Sequence, residues 1–233
     1  MDFKTRHVVV TGGTGALGRA VVEALLRGGA EVHVPYLHAA EAERFPLRTE
    51  PRLRLAGPID LASEAEVGRF YAGVPTLWSS IHLAGGFAMG AIADADRAAL
   101  MQQLEMNLVS CYLCCRAAVA GMRKGGGGGR IVNVAARPAL EPRQGAGMTA
   151  YTAAKAAVAA LTQALGEELA PDGILVNAVA PSIMDTPANR AAMPKAKHEL
   201  WPKVEEVAAT ILFLASADNR VTRSAVVPVY GRS

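Results

Sequence analysis

Residues 7–18 read His7-Val8-Val9-Val10-Thr11-Gly12-Gly13-Thr14-Gly15-Ala16-Leu17-Gly18, and an apolar pattern of helical period continues from there to Arg27. The β-branched run predicts a buried strand from His7 to Thr11, and the periodic stretch predicts a helix from Ala16 to Arg27. Between them, glycines recur at every third position: Gly12, Gly15 and Gly18. Glycine permits a tight turn and lets backbone N–H groups approach an anion at the positive end of the helix. In this strand–turn–helix context Gly12, Thr14, Gly15, Ala16, Leu17 and Gly18 form a candidate pyrophosphate cradle for a dinucleotide.

Working outward, the same strand signal recurs at Glu31 to Pro35, Leu53 to Gly57, Ser79 to Leu83, Arg130 to Val134, Leu175 to Ala180 and Val226 to Val229. Helical patterns fall between them at Ser63 to Tyr71, Ala95 to Arg123, Tyr151 to Leu169 and Lys203 to Ala215. Ser63 followed by Glu66 is a capping-box signature for the first of these. Strands alternating with helices need crossover connections and give a parallel sheet covered on both faces. The expected fold class is α/β: a doubly wound, seven-stranded Rossmann sheet forming a single domain over residues 1–233. The run Gly125 to Gly129 reads as a flexible turn before the fifth strand.

The chain has 233 residues, 51% hydrophobic and 19% charged, with a formal net charge of +3. That balance suits one large core and argues against disorder. No basic cluster interleaved with aromatics is present, so nucleic acid is not an expected partner. No apolar run is long enough to span a bilayer, and no signal core opens the chain, so a cytoplasmic protein without a membrane partner is expected. Cys111, Cys114 and Cys115 lie within five residues on one predicted helix. They cannot staple distant segments, and with no histidine or fourth cysteine nearby they read as small buried side chains, so no metal is expected.

In dinucleotide folds an acidic residue ending the second strand binds the adenosine ribose. Here that position is Tyr36, with no Asp or Glu, and the nearest positive groups are Arg19, His38 and Arg44. This favours NADP, with NAD as the alternative. Asp60 and Leu61 follow the third strand, where the carboxylate either meets the adenine or caps the next helix.

Tyr151 and Lys155 stand one helical turn apart in Tyr151-Thr152-Ala153-Ala154-Lys155, on one face. A cation beside a phenol favours phenolate and is expected to lower the tyrosine pKa for proton transfer. Together with the glycine turn, this order of motifs resembles the short-chain dehydrogenase/reductase family over nearly the whole chain. The resemblance implies that Tyr151 is the general acid or base, that Lys155 holds the nicotinamide ribose, and that Asn107 in Glu105-Met106-Asn107-Leu108 supports the proton relay. It likewise assigns Ala84 and Gly85 after the fourth strand, Pro181 in the turn beside the nicotinamide, and Thr186 near the carboxamide. It also implies a small-molecule substrate and a homodimer or homotetramer. The small residues from Ala153 to Ala160 and the face near Cys111 are expected to permit close packing between subunits.

Two departures stand out. The family's Asn-Asn-Ala-Gly segment is His82-Leu83-Ala84-Gly85 here, and His82 reads as structural. After the fifth strand, Val134-Ala135-Ala136 stands where the family's substrate-orienting serine is expected, and Ala136 has no hydroxyl. Dihydropteridine reductase-like members share that vacancy and resemble this chain at Gly147-Met148 and Asp185-Thr186-Pro187, although the loop before Tyr151 is two residues longer here. The expected activity is hydride transfer from NAD(P)H to a carbonyl or a conjugated ring such as quinonoid dihydropterin. A catalytically impaired dinucleotide-binding sensor or scaffold is the alternative. The segment from Ile183 to Trp201 is expected to close over the substrate, its residues Met184, Ala188, Met193 and Trp201 either lining the pocket or packing back onto the core.

Overall fold

The computed structural model describes all residues 1–233. Seven parallel strands, β1 (His7–Thr11), β2 (Glu31–Pro35), β3 (Leu53–Ala56), β4 (Leu77–His82), β5 (Gly129–Val134), β6 (Ile174–Pro181) and β7 (Val226–Val229), form one sheet. Its order is β3-β2-β1-β4-β5-β6-β7. The order reverses between β1 and β4, the switch point at which an open α/β sheet leaves a crevice for ligands.

The strands are apolar along their length because helices cover both faces. On one face Val8 and Val10 of β1 meet Val21, Val22 and Leu25 of α1 (Ala16–Arg27) and Ile211 and Leu214 of α9 (Val204–Ala215). On the other, Val9, Ile131 and Val176 pack on α3 (Glu64–Ala72), α5 (Ser110–Lys124) and α7 (Thr149–Glu168). The alternation of Val8, Val9 and Val10 thus divides one strand between two apolar layers.

The cysteines of α5 point into this second layer, with Cys111 5%, Cys114 1% and Cys115 1% exposed. That face is therefore spent on the core and is not the subunit-packing surface expected from sequence. Its outward neighbour is Tyr112, which is 51% exposed.

Strand positions agree with the sequence reading to within two residues, but the long helix expected from Ala95 to Arg123 is divided. It runs as α4 (Arg97–Leu104), a π-helical turn (Glu105–Val109) and then α5. The cause lies in Asn107, whose Nδ2 donates to the backbone oxygen of Gln103 at 3.1 Å and of Gly86 at 3.0 Å. A side chain inserted into the helical ladder favours such a wide turn. Three short helices, α2 (Ala39–Arg44), α6 (Arg137–Leu140) and α8 (Pro187–Ala192), carry no buried residue and so left no periodic signal. The capping box at α3 forms by half: Ser63 Oγ accepts from Glu66 N, while the Glu66 carboxylate accepts from Asp60 N at 2.6 Å.

The glycine run forms the turn into β5, as the sequence placed it. Gly126, Gly127, Gly128 and Gly129 all have positive φ, and Gly128 N donates to Asp172 O at 2.8 Å. A Cβ at Gly129 would lie 2.5 Å from Met122 Sδ.

His7 and His33 sit on the adjacent strands β1 and β2 with Nδ1 and Nε2 3.0 Å apart. Burial first, then the His7 and Arg54 charges, lower the His33 pKa from 6.5 to about 4. The folded state therefore binds fewer protons than the unfolded chain between these values, so stability present above pH 6.5 is lost as pH falls towards 4. Thermal unfolding across that window should show a falling midpoint, and His33→Asn should flatten the fall. An equal slope in the variant would refute the assignment.

Candidate active site

The glycine turn leaves β1 at the switch point and is held to the segment after β4: Leu83 N donates to Thr11 O at 3.1 Å and Ala84 N to Thr11 Oγ1 at 3.2 Å. Gly12 has φ +65°, and a Cβ there would lie 2.6 Å from Ala84 N. At Gly18 a Cβ would lie 2.1 Å from Gly12 O, so α1 reaches the turn only without a side chain. The α1 N-terminus has no side-chain cap and no acidic residue in its first turn. Its leading N–H groups, from Ala16 to Gly18, lack helical acceptors, as every helix start does. An uncapped helix end whose first residues, Gly15 and Ala16, are exposed fits the pyrophosphate of a dinucleotide.

Around it, the structure brings Tyr36, Asp60 and Leu61 to the same edge of the sheet without aiming them alike. Tyr36 Oη donates to Gly57 O at 3.1 Å. Asp60 Oδ1 accepts from Ala62 N at 2.9 Å, closing a local turn, and the cap of α3 is Ser63 and not Asp60. Arg19, His38 and Arg44 are all exposed. The sequence reading missed Glu41 on α2, whose Oε2 accepts from Thr14 Oγ1 at 2.8 Å and puts a carboxylate on the glycine turn.

Across the crevice, Tyr151 and Lys155 share a face of α7, with Lys155 Nζ 6.0 Å from the Tyr151 ring centroid. Lys155 is buried and donates to Val134 O at 2.9 Å. Gly85 joins this pair to Asn107: a Cβ at Gly85 would lie 2.6 Å from Asn107 Oδ1 and 3.5 Å from Lys155 Nζ. Asn107 Oδ1 also accepts from Gly86 N at 3.2 Å, which pins the strand's exit to the π-turn.

The expected lowering of the tyrosine pKa is not what the protein alone produces. Burial raises Tyr151 to about 12 and lowers Lys155 to about 8. Desolvation disfavours both charged forms, and the lysine spends its nearest contact on a carbonyl instead of the phenol.

Tyr151 meets Phe87 edge-on, with ring centroids 5.0 Å apart at 89°. The Phe87 segment lies against the longer loop before Tyr151 through Gly90 N donating to Gly147 O at 2.9 Å. Phe87 at 58%, Met89 at 68% and Ile92 at 76% exposure give this rim an apolar surface. Ala136 is buried at the start of α6. Pro181 ends β6, and Thr186 Oγ1 accepts from Asn189 N at 3.2 Å, capping α8. Of the residues expected to close over a substrate, Trp201 is buried and tilted against His198, and Met184 packs on the core. These two pack with the scaffold, whereas Ile183 at 44% exposure and Ala188 stay at the surface. The apolar rim beside Tyr151 comes from the segment around Phe87, which the sequence did not single out.

The structure also gives the cysteines a histidine. His82 Nδ1 lies 3.5 Å from Cys115 Sγ, contrary to the expectation that none was near.

Comparison with known proteins agrees with this architecture. A short chain dehydrogenase family model matches residues 6–197. Galactitol 2-dehydrogenase of Rhizobium johnstonii is 33% identical over 96% of this chain and 93% of its own. The 2,3-dihydro-2,3-dihydroxybenzoate dehydrogenase of Escherichia coli is 30% identical over 93% and 92%. A solved short-chain type dehydrogenase/reductase from Mycobacterium ulcerans superposes with a TM-score of 0.90 at 25% identity, covering 99% of this chain and 90% of that one. With its seven-stranded parallel sheet, its glycine turn at the switch point and these relatives, the chain belongs to the short-chain dehydrogenase/reductase family and is an NAD(P)-dependent oxidoreductase.

Proposed function

We propose that the protein reduces a carbonyl or conjugated-ring compound, with Tyr151 as proton donor and Lys155 and Asn107 as its supporting groups. The observation that carries this reading is the convergence of Lys155 and Asn107 on Gly85, with Tyr151 one turn from the lysine. A bound nicotinamide dinucleotide supplies the hydride. The chain's part is to hold the dinucleotide at Gly12, Thr14, Gly15, Ala16, Leu17 and Gly18, with Tyr36, Asp60, Leu61, Ala84, Gly85, Pro181 and Thr186 along its length. A phenol at about 12 stays protonated near neutrality and so has a proton to give.

Ala136 and the apolar rim shape the substrate. A simple ketone needs a donor to its oxygen, and losing one such donor costs about 3 kcal/mol of transition-state stabilisation. A flat, conjugated ring resting on Phe87 and Met89 depends less on that donor, which supports a dihydropterin- or quinone-like substrate. On the cofactor, the lack of a carboxylate at the end of β2 favours NADP. A second reading, NAD, is favoured by Glu41, whose carboxylate on Thr14 would repel a 2′-phosphate.

No helix is long and apolar enough to cross a membrane. We place the protein in the cytoplasm as a homodimer or homotetramer, the outer residues Tyr112, Ala153 and Ala160 being open to a partner subunit.

One turnover panel tests these points: ketones, quinones and quinonoid dihydropterin, each with NADH and NADPH, for the wild type and Ala136→Ser. Ring substrates should turn over fastest, and Ala136→Ser should leave them within about threefold while raising ketone reduction, since it restores one donor. A gain above about tenfold on the ring substrates would reject this account of Ala136. No turnover with any compound, with dinucleotide binding retained, would favour the sensor or scaffold. Preference for NADH would assign the discrimination to Glu41.

A further inference from the structure

Two features remain outside the active-site reading: His82 in place of the family's asparagine, and cysteines repeated on α5. The fold brings them together. His82 ends β4, Cys111 and Cys115 stand one turn apart on α5, and Asn133 lies on β5. All four are buried, at 3%, 5%, 1% and 0% exposure in that order.

Their donor atoms face one another. His82 Nδ1 and the two Sγ atoms lie within 4.8 Å of one another. Asn133 Oδ1 is 2.8 Å from His82 Nδ1, 3.3 Å from Cys111 Sγ and 3.5 Å from Cys115 Sγ. A tetrahedral ion with ligand bonds of about 2.0–2.3 Å spaces its ligand atoms roughly 3.3–3.8 Å apart. The Asn133 pairs and His82–Cys115 lie within about half an ångström of that spacing, and the two remaining pairs, both of Cys111, lie within 4.8 Å and close by moving Cys111 inward.

The surroundings orient each donor. His82 Nε2 lies 2.8 Å from Ser80 Oγ, which is itself 2.8 Å from Tyr71 Oη. In the ion-free chain Nδ1–H donates to Asn133 Oδ1; binding an ion shifts that proton to Nε2, which donates to Ser80 Oγ and frees the Nδ1 lone pair, the outer-shell arrangement that metal-bound imidazoles use. Asn133 Nδ2 donates to Thr162 Oγ1 at 2.9 Å, which turns Oδ1 inward. Two thiolates neutralise a divalent cation, as a site sealed from water requires. Sulfur and imidazole select a thiophilic ion over magnesium or calcium.

We propose that His82, Cys111, Cys115 and Asn133 form a closed structural site for one thiophilic divalent cation of the zinc class. Binding releases the two thiol protons and forms two metal–sulfur bonds, with no change of oxidation state. The ion ties β4, β5 and α5 together beneath Val134, the carbonyl that holds Lys155. Without the ion, the same groups hydrogen-bond to one another, which keeps the apo chain folded.

The test uses the full chain, produced in zinc-supplemented medium and also refolded from denaturant with Co²⁺, because the buried site loads most readily as the chain folds. Elemental analysis should find roughly one zinc per chain, and Co²⁺ should give tetrahedral d–d bands with thiolate charge-transfer absorption. Cys111→Ala/Cys115→Ala and His82→Asn should lose the bound ion, with dinucleotide binding reporting that they fold. If the variants do not fold, the sulfur charge-transfer band of the Co²⁺ wild type decides alone. Less than about a tenth of an ion per chain by both routes, a Co²⁺ spectrum without thiolate bands, or equal loading of the folded variants would overturn the proposal.

Discussion

Replacing Tyr151 by phenylalanine should lower kcat for reduction by about 10²–10⁴, the range a positioned proton donor contributes, and leave the fold intact. The ring stays in place against Phe87, because that edge-on contact uses the aromatic body and not the hydroxyl. Tyr151 is only partly buried, so its truncation leaves no sealed void in the core. Dinucleotide binding should weaken by no more than about tenfold, the equivalent of one neutral hydrogen bond of roughly 0.5–1.5 kcal/mol. Stopped-flow turnover together with a fluorescence titration of the dinucleotide separates the two quantities. Equal losses in binding and turnover would make Tyr151 a binding residue and would move the proton donor elsewhere. A variant with unchanged kcat would remove the mechanism altogether.

Gly18→Ala should have the largest combined effect on stability and binding. The new methyl group would stand 2.1 Å from Gly12 O and 2.6 Å from Gly13 Cα, both backbone atoms that no rotamer change relieves. Either α1 moves off β1 or the turn opens. Overpacking of this kind costs about 1–3 kcal/mol, and at 2–4 °C per kcal/mol for a chain of this size Tm should fall by roughly 2–12 °C. Moving the helix end also withdraws the N–H groups proposed to meet the pyrophosphate, so dinucleotide affinity should fall by more than about tenfold. Gly15→Ala is the internal control, since its Cβ would meet nothing nearer than Gly12 O at 3.4 Å. Its Tm should stay close to wild type. Equal destabilisation by the two substitutions would show that turn flexibility, and not close approach, is what the glycines supply.

Much of this protein was legible along the chain because the relevant forces are periodic or local. Apolar runs flanked by helical patterns imply a covered parallel sheet, and a helix places Tyr151 and Lys155 on one face wherever it packs. Helices without a buried face were not legible: α2 has no apolar stripe, yet it delivers Glu41 to Thr14. The division of the helix around Asn107 was equally hidden, since it depends on Gly86, which another strand brings alongside.

The sequence by itself therefore determined the layer architecture, the glycine turn at the end of β1 and the pairing of Tyr151 with Lys155, all consequences of backbone geometry over a few residues. Tertiary structure alone decided where those groups point and what they feel. Burial, set by the layers above and below, pushes Tyr151 up to about 12 and turns Lys155 to Val134 O. It likewise decided that His82, an isolated departure in the chain, would lie against Cys111 and Cys115, because β4 and α5 share one apolar layer and only their packing brings the donors within reach.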